Sequence, residues 1–514
     1  MMLKLGFCVL ISTLSLMAVL TVNPGEIFSV MPAHIDAAYH SAHALLIVKE
    51  NNILFNASPY YEYPMAHLLQ SILCLLLGLD LLILHKILTI LLCLFLFIII
   101  FSNTKWLLSR LLTNCSRENT VLLPALIITT LYFTIYMQFS LTYSPQLYAL
   151  VLLVCFLNYC MRIYDPHLMN KCKILVPVIL TIALVFAHHL TSLSLLIIAT
   201  IMILTREKSI VWKLVLISII MHLVYRCIYT LTIGFNLLET LNVYELINTI
   251  KYHGYEVIGR KPSYTYSRTY FIILQLLCYI KRIILFLFSI ISVYNLVNYV
   301  KRQTSPQLLR KLSTFWLKTL ISLIIATSPV ITIAFERPLI FSGIILTLAY
   351  ATCLKTKLAK KHFYILSITL LLTSFISNII PRVQNDILSP TGNLTEEYES
   401  VADSFLASRL ANAKPLPSIF TDLHNYHILK FMLILYNKTN TLRISGIHND
   451  WCDYVTLLNY INSSVILLIH KRTIMRLHQF AGINVNAYWD LYELETLYSS
   501  LYSNIVCKPH PLWG

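Results

Sequence analysis

Asp36, Tyr39, His40 and His43, in the stretch MPAHIDAAYHSAHALLIVKENN (31–52), recur at the spacing of one helix face. Ala37, Leu45 and Val48 fall on the other side, which predicts an amphipathic helix lying on the outer membrane surface. A carboxylate and imidazoles one turn apart can ligate a divalent metal, with His34 close by. The same groups can instead hydrogen-bond one another, or Asp36 can simply face water.

Three further places put polar residues at the edge of apolar runs, where ionisable groups usually mark a site or pathway. In SPYYEYPMAHLL (58–69) the tyrosines Tyr60, Tyr61 and Tyr63 fit an aromatic belt at headgroup level, which leaves Glu62 and His67 unexplained. In FAHHLTSL (186–193) His188, His189 and a threonine interrupt two apolar runs, where a bare turn would more readily use Gly, Pro or Asn. In AFERPLIF (334–341) the pair Glu336–Arg337 reads as a polar turn, or as a guanidinium that binds a lipid phosphate.

The elements that must hold these residues are membrane segments. Of 514 residues, 57% are hydrophobic and 12% charged, written as apolar blocks with basic punctuation, which excludes a water-soluble domain. Twelve blocks qualify: 3–22, 64–80, 81–101, 120–138, 143–160, 174–187, 190–204, 211–233, 283–300, 314–334, 339–354 and 363–380. The first lacks an A-x-A cleavage pattern and reads as a span, not a signal peptide.

Charge gives the orientation. Residues 1–382 hold 30 Lys and Arg against 12 Asp and Glu; the remainder hold 9 against 11. The basic excess therefore belongs to the membrane part and fits loop orientation and anionic headgroups, not nucleic acid. Clusters such as Lys105/Arg110/Arg117 and Lys355/Lys357/Lys360/Lys361 fall on the cytoplasmic side by the positive-inside rule. Loop 23–63, the connections 138–146, 187–192, 234–280 and 336–338, and everything after residue 381 then lie outside, with the N-terminus inside. That arrangement needs an odd number of crossings, so about 11 of the 12 segments cross. Residues 64–101, two blocks with no polar turn between them, are the first suspect, and 174–204 the second.

Residues 382–514 change character. Strand-like runs SIFTD (418–422), TLRISGI (441–447) and SVILLIH (464–470) alternate with helix-like NYHILKFMLILY (425–436) and WDLYELETLYSSLY (489–502). The expected architecture is a polytopic α-helical membrane domain, 1–381, followed by an extracytoplasmic α/β domain, 382–514. Cys452 and Cys507, alone among twelve cysteines in lying beyond residue 382, leave a disulfide and two free thiols both open.

This order of features resembles the GT-C superfamily of polytopic glycosyltransferases, which take a sugar from a polyprenyl-phosphate carrier on the outer face of the membrane. The residues that carry the resemblance are the first span, the loop with Asp36 on a helix, and Tyr60-Tyr61-Glu62-Tyr63-Pro64 as a Y-x-E-x-P lead into the next segment. A polar break in a later hairpin and an outer soluble domain complete it. The layout looks most like archaeal members, and is similar to protein O-mannosyltransferases and lipid A aminoarabinose transferases. It implies that Asp36 is the general base for an acceptor hydroxyl and that the donor's phosphate leaves with inversion. It also implies that Glu62 orients donor or acceptor, with Tyr61 and His40 beside the substrate. For the phosphate, Arg337 comes first, then His188 or His189, then Lys281 and Arg282 at the outer edge of the 283–300 span. The implied partners are a polyprenyl-phosphate-linked sugar, a glycan, lipid or protein acceptor, and membrane lipid; a divalent metal on Asp36, His40 and His43 stays open.

The chain also departs from that family. Aminoarabinose transferases carry Lys where Tyr63 stands here. Oligosaccharyltransferases hold a metal with a second acidic set, yet no Asp or Glu occurs between Glu118 and Asp165. Their W-W-D-Y-G acceptor motif is met only by WCDYV (451–455). Transfer to asparagine, a transporter and a non-catalytic receptor are the competing readings. No internal repeat supports the transporter.

Overall fold

A computed structural model of the chain describes residues 35–50, 65–111, 119–135, 145–163, 175–188, 268–301, 307–331, 336–352 and 362–373, five short strands beyond residue 418, and isolated positions between 195 and 224. Among the described residues the chain runs as α1 (Ile35–Glu50), α2 (Met65–Leu77), α3 (Leu81–Leu111), α4 (Asn119–Ile135), α5 (Pro145–Ile163), α6 (Leu175–Ala187), α7 (Arg268–Lys301), α8 (Gln307–Ile331), α9 (Glu336–Ala351) and α10 (His362–Thr373). The expected segments 3–22, 190–204 and 211–233 lie wholly or largely outside the described residues.

The apolar blocks become helices because a bilayer leaves no other partner for their backbone. Their polar residues are satisfied locally. Thr89, Thr104, Thr129, Thr319 and Thr347 each donate to the carbonyl four residues back, at 2.6 to 2.9 Å. Pro145 opens α5, where its missing N–H costs nothing.

Blocks 64–80 and 81–101 are separate helices. Gly78, at φ +61°, ends α2, and the Asp80 carboxylate accepts the Leu82 N–H at 2.7 Å to start α3. A polar turn therefore does join them, written as Gly78-Leu79-Asp80. At 31 residues, α3 reaches about 46 Å and is long and apolar enough to cross a membrane, as is Pro145–Arg162. The 13 residues of α2 reach only about 20 Å.

A second expectation also changes. Residues 234–280 are expected to form an outer connection, yet α7 starts at Arg268 and runs 34 residues. No breaker separates 268 from 283, so Lys281 and Arg282 stand within one continuous helix that extends beyond the 283–300 block.

α9 is packed against α3, α4, α7 and α8. The main core follows that arrangement, with Leu96 and Ile100, Ile128 and Tyr132, Val154 and Phe156, Phe288, Trp316 and Tyr350 buried together. Tyr350 stacks between Phe288 and Phe363 at centroid distances of 4.6 and 5.1 Å, and its hydroxyl meets Ser367 Oγ at 3.0 Å. The Arg162 guanidinium bridges Asn158 of its own helix and Ser102 of α3.

The outside of this bundle is apolar. Ile83, Leu91, Phe95 and Ile98 of α3 are half or more exposed, and Ile283, Phe286, Leu287 and Ile290 of α7 form a second exposed stripe. Contiguous apolar surface of this kind suits lipid and not water.

Toward the C-terminus, β1 (Ile419–Asp422), β2 (Ile444–Ile447), β3 (Ile466–His470), β4 (Glu495–Ser499) and β5 (Ser503–Cys507) form one sheet of order β2-β1-β3-β5-β4. β1 lies parallel to β2 and β3, with Ile419 opposite both Ile444 and Ile466; β5 runs antiparallel to β3 and β4. The three strand-like runs are strands. Of the helix-like run 489–502, the described portion 495–499 is a strand that pairs with β5. Residues 425–436 and Cys452 lie outside the described residues.

Candidate active site

The first site helix has the expected register but not the expected surroundings. α1 is continuous from Ile35 to Glu50, which puts Asp36, His40 and His43 on one stripe. Residues 40–47 are all buried, however, whereas a helix lying on a membrane surface would show one face to water. The reason is packing: α2 and α3 both lie against α1, and Ala42, Ala44, Leu45 and Leu46 share a small core with Leu81.

Enclosing α1 gathers histidines. His40 Nδ1 lies 3.0 Å from His67 Nε2 of α2, their ring centroids 5.1 Å apart. The His43 ring stands edge-on to the same His67 at 5.7 Å. Ser41 Oγ meets His85 Nδ1 of α3 at 3.2 Å. His188, directly after α6, also acts electrostatically on His40. All five histidines are buried, none more than 6% exposed. Ser71 fastens α2 to α1 by donating to the Ala44 carbonyl at 2.9 Å as well as to the His67 carbonyl at 2.7 Å.

The same contacts fix the path of the chain. A straight run from His67 to His85 would separate them by about 27 Å. The adjacent residues His40 and Ser41 touch both, so the chain folds back at Gly78–Asp80.

Burial, followed by repulsion from His67, His43, His188 and His85, holds the His40 imidazole well below its ordinary pKa. It is neutral at pH 7 and works as a hydrogen-bonding group with one donor and one acceptor nitrogen. Among the described residues no group of three or more His, Cys, Asp or Glu is placed to hold a metal ion. The expected set of Asp36, His40 and His43 turns on the Asp36 side chain, which lies outside the described residues, while His40 and His67 spend a donor and a lone pair on each other.

Of the expected site residues, His40, His43 and His188 come together, with Asp36 one turn before His40 on α1. Arg337 is in the first turn of α9, next to Pro338, with Glu336 at the positive end of the helix dipole. Lys281 and Arg282 are within α7. Glu62, Tyr61 and His189 lie outside the described residues. The sequence reading missed the partners His85, Ser41 and Ser71. The signal available was an ionisable residue within an apolar run, His85 in LLILHKILTI.

The sequence matches no protein-family model and no curated protein. Solved structures do match. The oligosaccharyltransferase of Archaeoglobus fulgidus in its apo form superposes with TM-score 0.55 at 11% identity, over 99% of this chain and 74% of that one. Its form tethered to an acceptor peptide containing the NVT sequon gives 0.52 at 10% identity, over 98% and 74%. The transferase ArnT from Cupriavidus metallidurans, bound to undecaprenyl phosphate, gives 0.49 at 10% identity over 99% of both chains. The chain thus shares the fold of the archaeal oligosaccharyltransferase.

Proposed function

We propose that this protein is an integral membrane glycosyltransferase that moves a sugar from a polyprenyl-phosphate carrier to an acceptor hydroxyl on the outer face of the membrane. The observation that carries the reading is the buried histidine cluster, one helical turn from Asp36, in a chain whose fold matches a GT-C enzyme over 99% of its length.

The Asp36 carboxylate takes the proton of the acceptor hydroxyl as its oxygen attacks the anomeric carbon. The bond from that carbon to the phosphate oxygen breaks, the electron pair leaves with the phosphate, and the configuration inverts. Arg337 receives the charge that develops on the phosphate, with His188, His189, Lys281 and Arg282 as further donors. Glu62 and Tyr61 orient the sugar or the acceptor. The neutral imidazole of His40, with His43 beside it, contributes hydrogen bonds in a water-poor enclosure, where such bonds are strong. In this reading the strands beyond residue 418 belong to an extracytoplasmic α/β domain covering 382–514.

A second reading, transfer to asparagine, is favoured by the fold match to an oligosaccharyltransferase. Against it stand the missing acids between Glu118 and Asp165 and the incomplete WCDYV.

The test is release of polyprenyl phosphate from sugar-loaded carrier by the purified protein, with a membrane extract or an Asn-x-Thr peptide as acceptor. Release with the extract that disappears in Asp36→Asn supports the first reading. Release only with the peptide supports the second. Equal release by wild type and Asp36→Asn removes Asp36 as the base.

A further inference from the structure

α2 is an apolar helix with one polar stripe. His67, Gln70 and Ser71 share a face and are 1, 0 and 1% exposed. Ser71 has its acceptors, and His67 Nε2 has His40. His67 Nδ1 and both ends of the Gln70 amide have no hydrogen-bond partner among the described residues. An amide sealed inside a bundle without partners is costly, and Leu or Met would fill the same space at no such cost. The helix that bears it packs against α1, α3, α5 and α6, so Gln70 faces protein and not lipid.

We infer that Gln70, together with His67, forms a neutral subsite for hydroxyl groups of a sugar ring. The inference rests on the glycosyltransferase reading and adds the residues that read the sugar. A carboxamide offers a donor and an acceptor side by side, the complement of a vicinal diol, in which one hydroxyl donates and its neighbour accepts. His67 Nδ1 lies on the same face, three residues away, a rise of about 4.5 Å. Neither group carries a formal charge in this arrangement, so the pair suits a polyol and leaves the phosphate to cations. The His40–His67 contact joins this face of α2 to the helix that carries Asp36. A site of this kind also discriminates: a sugar lacking the matched hydroxyl strands a buried amide.

The experiment compares binding of bare undecaprenyl phosphate with binding of undecaprenyl phosphate bearing glucose, mannose, galactose or N-acetylglucosamine, using full-length protein in nanodiscs. Wild type is expected to prefer one sugar-bearing carrier over the bare one by about tenfold or more. Gln70→Met, which conserves length, is expected to lose that preference while binding bare carrier as wild type does, with an unchanged or higher melting temperature. Gln70→Asn, which draws the amide back by one methylene, is read alongside and is expected to lose the preference too; it decides the question if Gln70→Met does not fold. Preference retained in the variants overturns the subsite alone and leaves the amide to a structural water. No preference by wild type for any of the four sugars overturns the glycosyltransferase reading and the subsite with it.

Discussion

His40 and His67 face each other across α1 and α2 with 3.0 Å between Nδ1 and Nε2, both rings buried inside the bundle. One nitrogen must carry the proton and the other must not, so the contact needs at least one neutral ring. Burial, with the neighbouring histidines, keeps the His40 imidazole below its ordinary pKa. The native state therefore binds fewer protons than the unfolded chain once the pH falls below about 6.5, and stability drops with falling pH until the native pKa is reached. The slope from His40 alone approaches about 1.4 kcal/mol per pH unit. Thermal unfolding in nanodiscs between pH 8 and 5 should show a falling melting temperature below 6.5, with a shallower fall in His40→Gln. An equal fall in both would remove His40 as the source.

Gly78 stands at φ +61°, and a Cβ placed there would meet nothing within 4 Å. The cost of a side chain is then purely conformational. Gly78→Ala should destabilise by about 1 to 2 kcal/mol and Gly78→Asn by less, since Asn tolerates the left-handed region. The order Gly, Asn, Ala in melting temperature is the check; Ala equal to Gly would mean that the turn adapts.

Tyr350 fills the space between Phe288 and Phe363 and bonds Ser367. Tyr350→Phe keeps the ring and should cost about 1 kcal/mol. A double-mutant cycle with Ser367→Ala isolates the pair, and zero coupling would sink the assignment.

Arg337 stands in the first turn of α9, the helix packed against four others in the main core. On the proposed function its guanidinium holds the carrier's phosphate. Arg337→Gln should weaken binding of bare undecaprenyl phosphate by about tenfold or more, the worth of one charged hydrogen bond. Arg337→Lys should recover only part of it, because Lys cannot grip two oxygens in the fixed fork of Arg. Undiminished binding in Arg337→Gln would move the phosphate to other cations.

Helix positions were legible because each apolar block is its own signal. α4, α5, α6 and α9 fall within a few residues of the blocks that announced them. The start of α7 was hidden by Arg268, Lys281 and Arg282, since charge punctuates hydropathy without breaking a helix. β4 was hidden by leucines three residues apart in WDLYELETLYSSLY, a helical period overridden by pairing with β5. The spacing of His40 and His43 was visible, but their neighbours were not: His67 and His85 come from other blocks, 27 and 44 residues from His40 and Ser41. Periodicity reports which residues share a face and is silent on which faces meet.

The apolar block of α3, residues 81–101, rises about 31 Å, close to the roughly 30 Å hydrocarbon core of a common bilayer. A lipid of that thickness meets α3 without deformation, and a thinner or thicker one costs a fraction of a kcal/mol for each ångström of mismatch. Acyl-chain length becomes a variable that the protein feels, through the helix whose first turns hold His85 against Ser41.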